Sequence, residues 1–514
     1  MTASAEIAVP VADSRRRERL AVQMAVVAAV LVRTAVFLYW EQSSFDSDQA
    51  VVGLMAKHIS EGRAFPVFLY GQNSMLAVQA WLAAPAFLVL GPTVLALKLP
   101  LVAVNVAVAW LLVDVLQRDT GLRPAFAGIA ATIFVLAPAG MSAELMDAGG
   151  GSVEPFLYVL LIWILRRRPV WLGAVLGFGF MHREFTTYGF VALLVVGVFD
   201  RSIFARRRLA ELAVAIAAAV VLWNAVNALQ PYANAAGPGT TGANIYGTSN
   251  NVRGLLNRVC QEPRLIVKGI GPLVGSFLGL PLGLTPASLV DFGISSPRNQ
   301  GAPWLWPVFG LACVAGLIRV AWLLGARPEA RAPSSWAFPA YLLVTGAVTA
   351  LAYDVGRCGD VHVMTLRYAL LVILAPIGLA AVWLRLEPRV HVRAGIVVFL
   401  SAWSVFSLAG HGRLLTEYVR HPPPDYRRVV ADYLVAHHIE LARSDYWTGY
   451  QVTFLARERV VVATDGVWRV LYYHEEEKAN PGLAYTISRR PCPGGRGVAV
   501  YPGVYWVCDP SGSG

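Results

Sequence analysis

Stretches of about 17–25 predominantly apolar residues recur along this chain, each long enough to cross roughly 30 Å of hydrocarbon as a helix. The chain has 514 residues, 56% of them hydrophobic, and its mean hydropathy of +0.54 is too high for a soluble core. A polytopic helical membrane protein is expected. The net charge of +11 does not mark a nucleic-acid partner. The arginines fall in short clusters between apolar runs, at 15–19, 118–123, 166–168, 201–208, 327–331 and 385–393, as cytoplasmic loops of a membrane protein do. Lysine occurs only at Lys57, Lys98, Lys268 and Lys478; with the alanine richness, this fits a GC-rich bacterial genome. The basic run Arg15-Arg16-Arg17-Glu18-Arg19 precedes an apolar stretch long enough to span, so no cleavable signal is expected.

Placing the arginine clusters in the cytoplasm of a bacterial inner membrane fixes a map. After the tail 1–19, residues 20–410 form the membrane domain. The first span, 20–40, runs outward. Residues 41–92 form a periplasmic loop with two amphipathic surface helices, and Lys57 and His58 are expected on the solvated face of the first. Spans follow near 93–116, 124–140 and 153–165, then a short hairpin at 169–199 with His182-Arg183-Glu184 at its tip, and an exit at 209–229. Residues 230–302 form a large external loop. Its apolar part, 265–290, is broken by Gly271-Pro272, Pro281 and Pro286 and reads as an interfacial or re-entrant segment rather than a span. Further spans are expected near 303–324, 335–352, 368–385 and 394–410. The total is about eleven helices, with the N-terminus inside and the C-terminus outside.

Residues 411–514 differ. Apolar runs stop, charge rises, and strand-like and helical patterns alternate. A small periplasmic α/β domain is expected, with an amphipathic helix over 425–438 and strands near 460–463 and 498–507. Cys492 and Cys508 bracket one hairpin-like stretch outside the membrane and are expected to pair. A link between Cys260 and Cys358 would join two external loops. None of the five cysteines has zinc-site spacing.

The map gathers on one side the polar residues that are hardest to explain as structure: Asp46, Asp48, Tyr70, Gln72, Asn73, Glu144, Asp147, Glu154, His182, Arg183, and the 354–362 loop leading to Arg367. A charged pair at a bilayer surface needs a partner. Acids there suit a divalent cation such as Mg²⁺ or Mn²⁺. Arginines suit a phosphate, which they grip at two oxygens. Together they meet the needs of glycosyl transfer from a lipid-phosphate sugar: a carboxylate to deprotonate the acceptor, and a cation to neutralise the leaving phosphate. Structural readings stand beside these. Asp46-Ser47-Asp48 fits a helix N-cap, Glu154-Pro155 a helix start, His182-Arg183-Glu184 a local ion pair, and Arg367 a side chain reaching out from a helix end.

An acid just after the first membrane helix, a surface helix, the Tyr70-Gly-Gln-Asn73 stretch, a second surface helix and an external Glu154-Pro155 resemble the GT-C glycosyltransferases. The pattern is similar to the group of protein O-mannosyltransferases and the lipid A aminoarabinose transferase, over roughly residues 20–230. The resemblance implies a polyprenyl-phosphate sugar donor, inversion at the anomeric carbon, and Asp48 as general base. It implies Asp46 as a neighbour able to bind metal and Glu154 as a second external acid, also a metal candidate. Gln72-Asn73 stands where the aminoarabinose transferase has an acid and a lysine, so phosphate binding falls to Arg183 or Arg367. The other function class is a transporter or flippase for a lipid-linked or acidic solute. Such proteins carry ionisable groups near the bilayer midplane and repeated halves, whereas here the ionisable groups sit at one surface and no halves repeat. The sugar and the acceptor (protein, lipid or cell-wall glycan) are not legible.

Overall fold

The computed structural model describes residues 8–72, 75–235, 259–279, 315–319, 322, 333–360 and 363–510. Asn73, residues 236–258 and most of the expected 303–324 span lie outside the described residues. Ten helices build the first half: α1 (Ala8–Tyr39), α2 (Ser47–Ser60), α3 (Val78–Leu90), α4 (Val94–Thr120), α5 (Pro124–Val135), α6 (Ala139–Glu144), α7 (Glu154–Ile164), α8 (Pro169–His182), α9 (Thr186–Phe199) and α10 (Arg206–Ala235). Next come α11 (Pro263–Gly279), α12 (Pro333–Arg357), α13 (Leu374–Leu386) and α14 (Val390–Arg420). Among the described residues, six helices are long and apolar enough to cross a membrane, and α3, α5, α7, α8 and α9 are shorter apolar helices.

Local chemistry sets the boundaries. Asp46 caps α2, its side chain accepting from Gln49 N, and Thr93 caps α4 in the same way. Gly121 ends α4 in the left-handed region, at φ 67°. The 14-residue helices α8 and α9 rise about 21 Å each, short of a full crossing. Gly173 and Gly177 let α8 press against the backbone of α10: a Cβ on either would come within 3.0 Å of a carbonyl, Ala215 O or Ala219 O.

The bundle has two chemically distinct ends. At one, Arg19 pairs with Asp114, Arg166 with Asp119 at 3.0 Å, and Arg385 Nε donates to Thr120 O at 2.7 Å. Most of the described arginine clusters thus meet at a single end. Arg33, fully buried within α1, is held inside the bundle by Asn105 Oδ1 at 2.6 Å and Ser142 Oγ at 3.3 Å.

At the other end sits the tail domain. Helix α14 continues through His411 to Arg420, and Pro422-Pro423-Pro424 then breaks it. The domain is built from α15 (Tyr426–Ala436), β1 (Leu441–Ser444), α16 (Tyr446–Leu455), β2 (Val461–Thr464), α17 (Leu471–Ala479), β3 (Tyr485–Ser488), β4 (Gly497–Tyr501) and β5 (Tyr505–Cys508). Its five-stranded sheet has the order β2-β1-β3-β5-β4. β1 is parallel to β2 and β3, with α16 and α17 as crossovers, while β5 runs antiparallel to β3 and β4. Disulfides join Cys492 to Cys508 and Cys260 to Cys358.

The tail has a small core of its own, around Val430, Leu434, Val462 and Val507. Tyr450, Phe454, Val470 and Tyr473, however, belong to the main core with α1, α2 and α4. Gly53 of α2 makes this possible, since a Cβ there would meet the Phe454 ring at 2.5 Å. Helix α2 is therefore no surface helix with a wet face. Lys57 and His58, expected in solvent, are buried against the tail, because Glu458 supplies the counter-charge.

Candidate active site

Asp48 lies in the first turn of α2, and the groups that meet it come from far along the chain. Tyr446 donates its hydroxyl to Asp48 Oδ1 at 2.6 Å. Arg367 brings Nη1 and Nη2 to Asp48 Oδ2, both at 3.4 Å, and also donates to the Tyr368 hydroxyl at 3.0 Å. Arg469 Nη2 stands 3.7 Å from Asp48 Oδ1. It is fixed by donating Nε to the Tyr446 hydroxyl and Nη1 to Tyr70 O, both at 3.3 Å. Burial and then the Asp48 charge raise the Tyr446 pKa, so its hydroxyl stays protonated and keeps donating.

A second loop, between α6 and α7, completes the site. Gln49 ties it to α2, accepting from Ala148 N at 3.1 Å while donating to Ser44 O at 2.7 Å. Asp147 accepts from Gly149 N at 2.7 Å. Gly150 and Gly151 have φ of 89° and 85°, which L side chains rarely adopt. A Cβ on Gly151 would fall 2.1 Å from Arg183 Cγ, so this backbone makes room for the arginine. Arg183 donates to Gly150 O through Nε, at 2.8 Å, and through Nη2. The result is a cavity of about 380 Å³ carrying Asp48, Asp147, Arg183, Arg367 and Arg469, with Trp447 on its wall.

The residues expected from sequence divide by position. Asp48, Gln72, Arg183 and Arg367 line the cavity. Asp46 does not: its carboxylate is spent on the α2 cap, and its pKa is pushed up to about 7 by burial first, then by Asp147 and Asp48. Glu144 is raised to about 8, again by burial and then Asp147. Tyr70 is buried away from the cavity, its hydroxyl 2.8 Å from His58 Nδ1. Glu154 and His182 are buried outside the lining. His182 Nδ1 meets the Tyr158 hydroxyl at 2.8 Å, and neither Glu154 carboxylate oxygen has a hydrogen-bond partner among the described residues.

Among the described residues, no three His, Cys, Asp or Glu side chains converge as a metal set. Asp48 Oδ1 accepts from Tyr446 and Oδ2 from Arg367, and neither Asp46 nor Glu154 lines the cavity.

Sequence reading missed Tyr446, Trp447 and Arg469 entirely. One signal was available. Tyr446 follows β1 and Arg469 follows β2, and loops at the carboxyl ends of parallel strands are where α/β units gather functional groups.

No family profile and no curated protein matches the chain significantly. Among solved structures it is similar to ArnT from Cupriavidus metallidurans bound to undecaprenyl phosphate, with 14% identity and a TM-score of 0.41, covering 94% of this chain and 97% of that one. The apo ArnT structure gives 14% identity, a TM-score of 0.37, and 90% and 93% coverage. The Archaeoglobus fulgidus oligosaccharyltransferase, apo form, gives 11% identity, a TM-score of 0.46, and 92% and 69% coverage. Both proteins are members of the GT-C superfamily. These likenesses are distant.

Proposed function

We propose that this is a GT-C-type membrane glycosyltransferase, moving a sugar from a polyprenyl-phosphate donor to an acceptor hydroxyl in the Asp48 cavity. One observation carries the reading: a carboxylate, Asp48, and three arginines share a single cavity at the end of the membrane helices. The acceptor oxygen attacks the anomeric carbon as Asp48 takes its proton. The bond from that carbon to the phosphate oxygen breaks, and the lipid phosphate leaves with the electron pair. A single displacement inverts the centre. Charge grows on the leaving phosphate, so cations placed for it stabilise the transition state more than the ground state. Arg183, Arg367 and Arg469 supply that charge. Tyr446 holds Asp48 in one orientation.

A transporter would place its ionisable groups near the midplane; here the ionisable groups of the cavity lie at one end of the bundle, against the tail domain. The same reading puts the arginine-rich end and the N-terminus in the cytoplasm of a bacterial inner membrane, and the tail outside. The test is sugar release from radiolabelled polyprenyl-phosphate donors in membranes. Asp48→Asn should insert and fold normally but lose about 10²–10⁴-fold in rate, the usual cost of removing a positioned base. Turnover near the wild-type level in that variant would remove the reading.

A further inference from the structure

The arginine-rich end of the bundle holds a second cavity, of about 620 Å³, which the transfer reaction does not use. Its wall carries five arginines, Arg118, Arg166, Arg167, Arg207 and Arg208, against three acids, Asp119, Asp200 and Glu211. Two of the arginines are built in. Arg166 donates to Asp119 Oδ2 at 3.0 Å and lies 4.3 Å from the centre of the Trp163 ring, and Arg208 donates to Arg166 O at 2.5 Å. Arg167 and Arg207 are exposed. Arg207 is shared with Glu211, and Arg167 has no acidic partner among the described residues.

The floor is apolar, formed by the buried side chains of Leu193, Val196, Leu212 and Phe338. On the rim, Phe199 at the end of α9 is 73% exposed and Phe204, in the segment between α9 and α10, is 66% exposed, beside lining residues Asp200 and Ile203. Surplus positive charge over an apolar floor, with aromatic rings on the open side, suits a ligand that is anionic at one end and oily at the other. A soluble phosphate would leave the apolar floor and the exposed rings unmatched. We propose that this cavity holds the phosphodiester headgroup of an anionic glycerophospholipid, with its acyl chains running over the Phe199–Phe204 rim. Basic pockets between membrane helices are where such headgroups bind. The inference is independent of the sugar-transfer reading.

The test uses the full chain in mild detergent, titrated with phosphatidylglycerol and, separately, phosphatidylcholine, with bound lipid counted by native mass spectrometry. Phosphatidylglycerol should bind with clear preference. The variant Arg167→Gln/Arg207→Gln, which touches no buried contact, should bind it at least about tenfold more weakly, since each arginine near an anionic surface is worth several-fold. Arg413→Gln, an exposed change remote from the cavity, should bind as the wild type does. Equal binding of the two lipids, equal loss in the Arg413 control, or no loss in the double variant would overturn the proposal. So would displacement of the lipid by millimolar inorganic phosphate, which would assign the cavity to a soluble anion.

Discussion

Glu458 is the point at which the tail is fastened to the membrane domain, and replacing it gives a sharp test of how the site is assembled. Its carboxylate accepts from Lys57 Nζ at 2.6 Å, Arg63 Nη1 at 2.8 Å and the Tyr473 hydroxyl at 2.6 Å, and meets His58 Nε2 at 2.9 Å. Burial opposes ionisation, but the hydrogen bonds and charges of His58, Lys57 and Tyr473 outweigh it and hold the group well below the usual carboxylate range. The side chains of Glu458 and Lys57 are each 8% exposed, and Glu458→Ala leaves the buried ammonium only Glu61, 39% exposed, at 2.9 Å; the loss should fall below the about 3–5 kcal/mol that breaking a fully buried pair costs. The Arg63 contact is 37% exposed and adds little. Most of the loss should fall on docking, because the sheet keeps a core of its own. The expected result is faster hydrogen exchange and proteolysis over residues 441–479. Sugar transfer should fall as well, since Tyr446 and Arg469 move off Asp48. Glu458→Gln, which keeps the shape, should do less. The depressed folded pKa means that this contribution is complete above the unfolded value of about 4.3 and is lost only as pH falls toward the folded one. Docking should therefore not weaken between about pH 5 and 8 on this group's account. A folded Glu458→Ala protein with wild-type exchange and wild-type turnover would refute the reasoning.

Three further outcomes follow from the site. Asp46 is favoured protonated in the fold, so its contribution to stability is present at low pH and declines as pH rises from about 4 through its folded value of about 7; Asp46→Asn should raise the melting temperature at pH 8 relative to pH 5 and remove a step near pH 7 from the rate profile. Arg367→Ala should lower turnover by about tenfold or more and weaken donor binding, read from donor kinetics, whereas Arg183→Lys should weaken donor binding because a lysine cannot grip two phosphate oxygens. Gly151→Ala should lose transfer activity, since the backbone there is at φ 85° and the new methyl group would displace Arg183; an active, normally melting Gly151→Ala protein would show that Arg183 is not held from below.

What could be read from the chain in advance was whatever the bilayer imposes one segment at a time. Arginines at 118, 166, 208 and 385 reach one end of the bundle because each closes an apolar run. Asp48 was conspicuous because an acid follows a membrane helix directly. Contacts made across the fold left no such mark. Lys57 and His58 look like a wet helix face until Glu458, 400 residues later, covers them. Tyr70 reads as a site residue from its neighbours Gln72 and Asn73, but it serves through its carbonyl, which holds Arg469. Glu154 and Asp46 are acids in suggestive places whose side chains were drawn into burial and helix capping. Periodicity reports which face is apolar and is silent about which distant element will cover it.

The order in which the chain is made gives the shared core a temporal meaning. Tyr446 and Arg469 come after the last membrane helix, so a nascent chain that has reached Arg420 holds Asp48 by Arg367 alone and lacks the tyrosine and the arginine that meet its other oxygen. On the proposed function, the site is completed only once the tail domain has formed and α16 packs on Gly53. A nonsense codon late in the gene would then yield a properly inserted but silent membrane protein, and no soluble fragment cut from either side would carry the whole site.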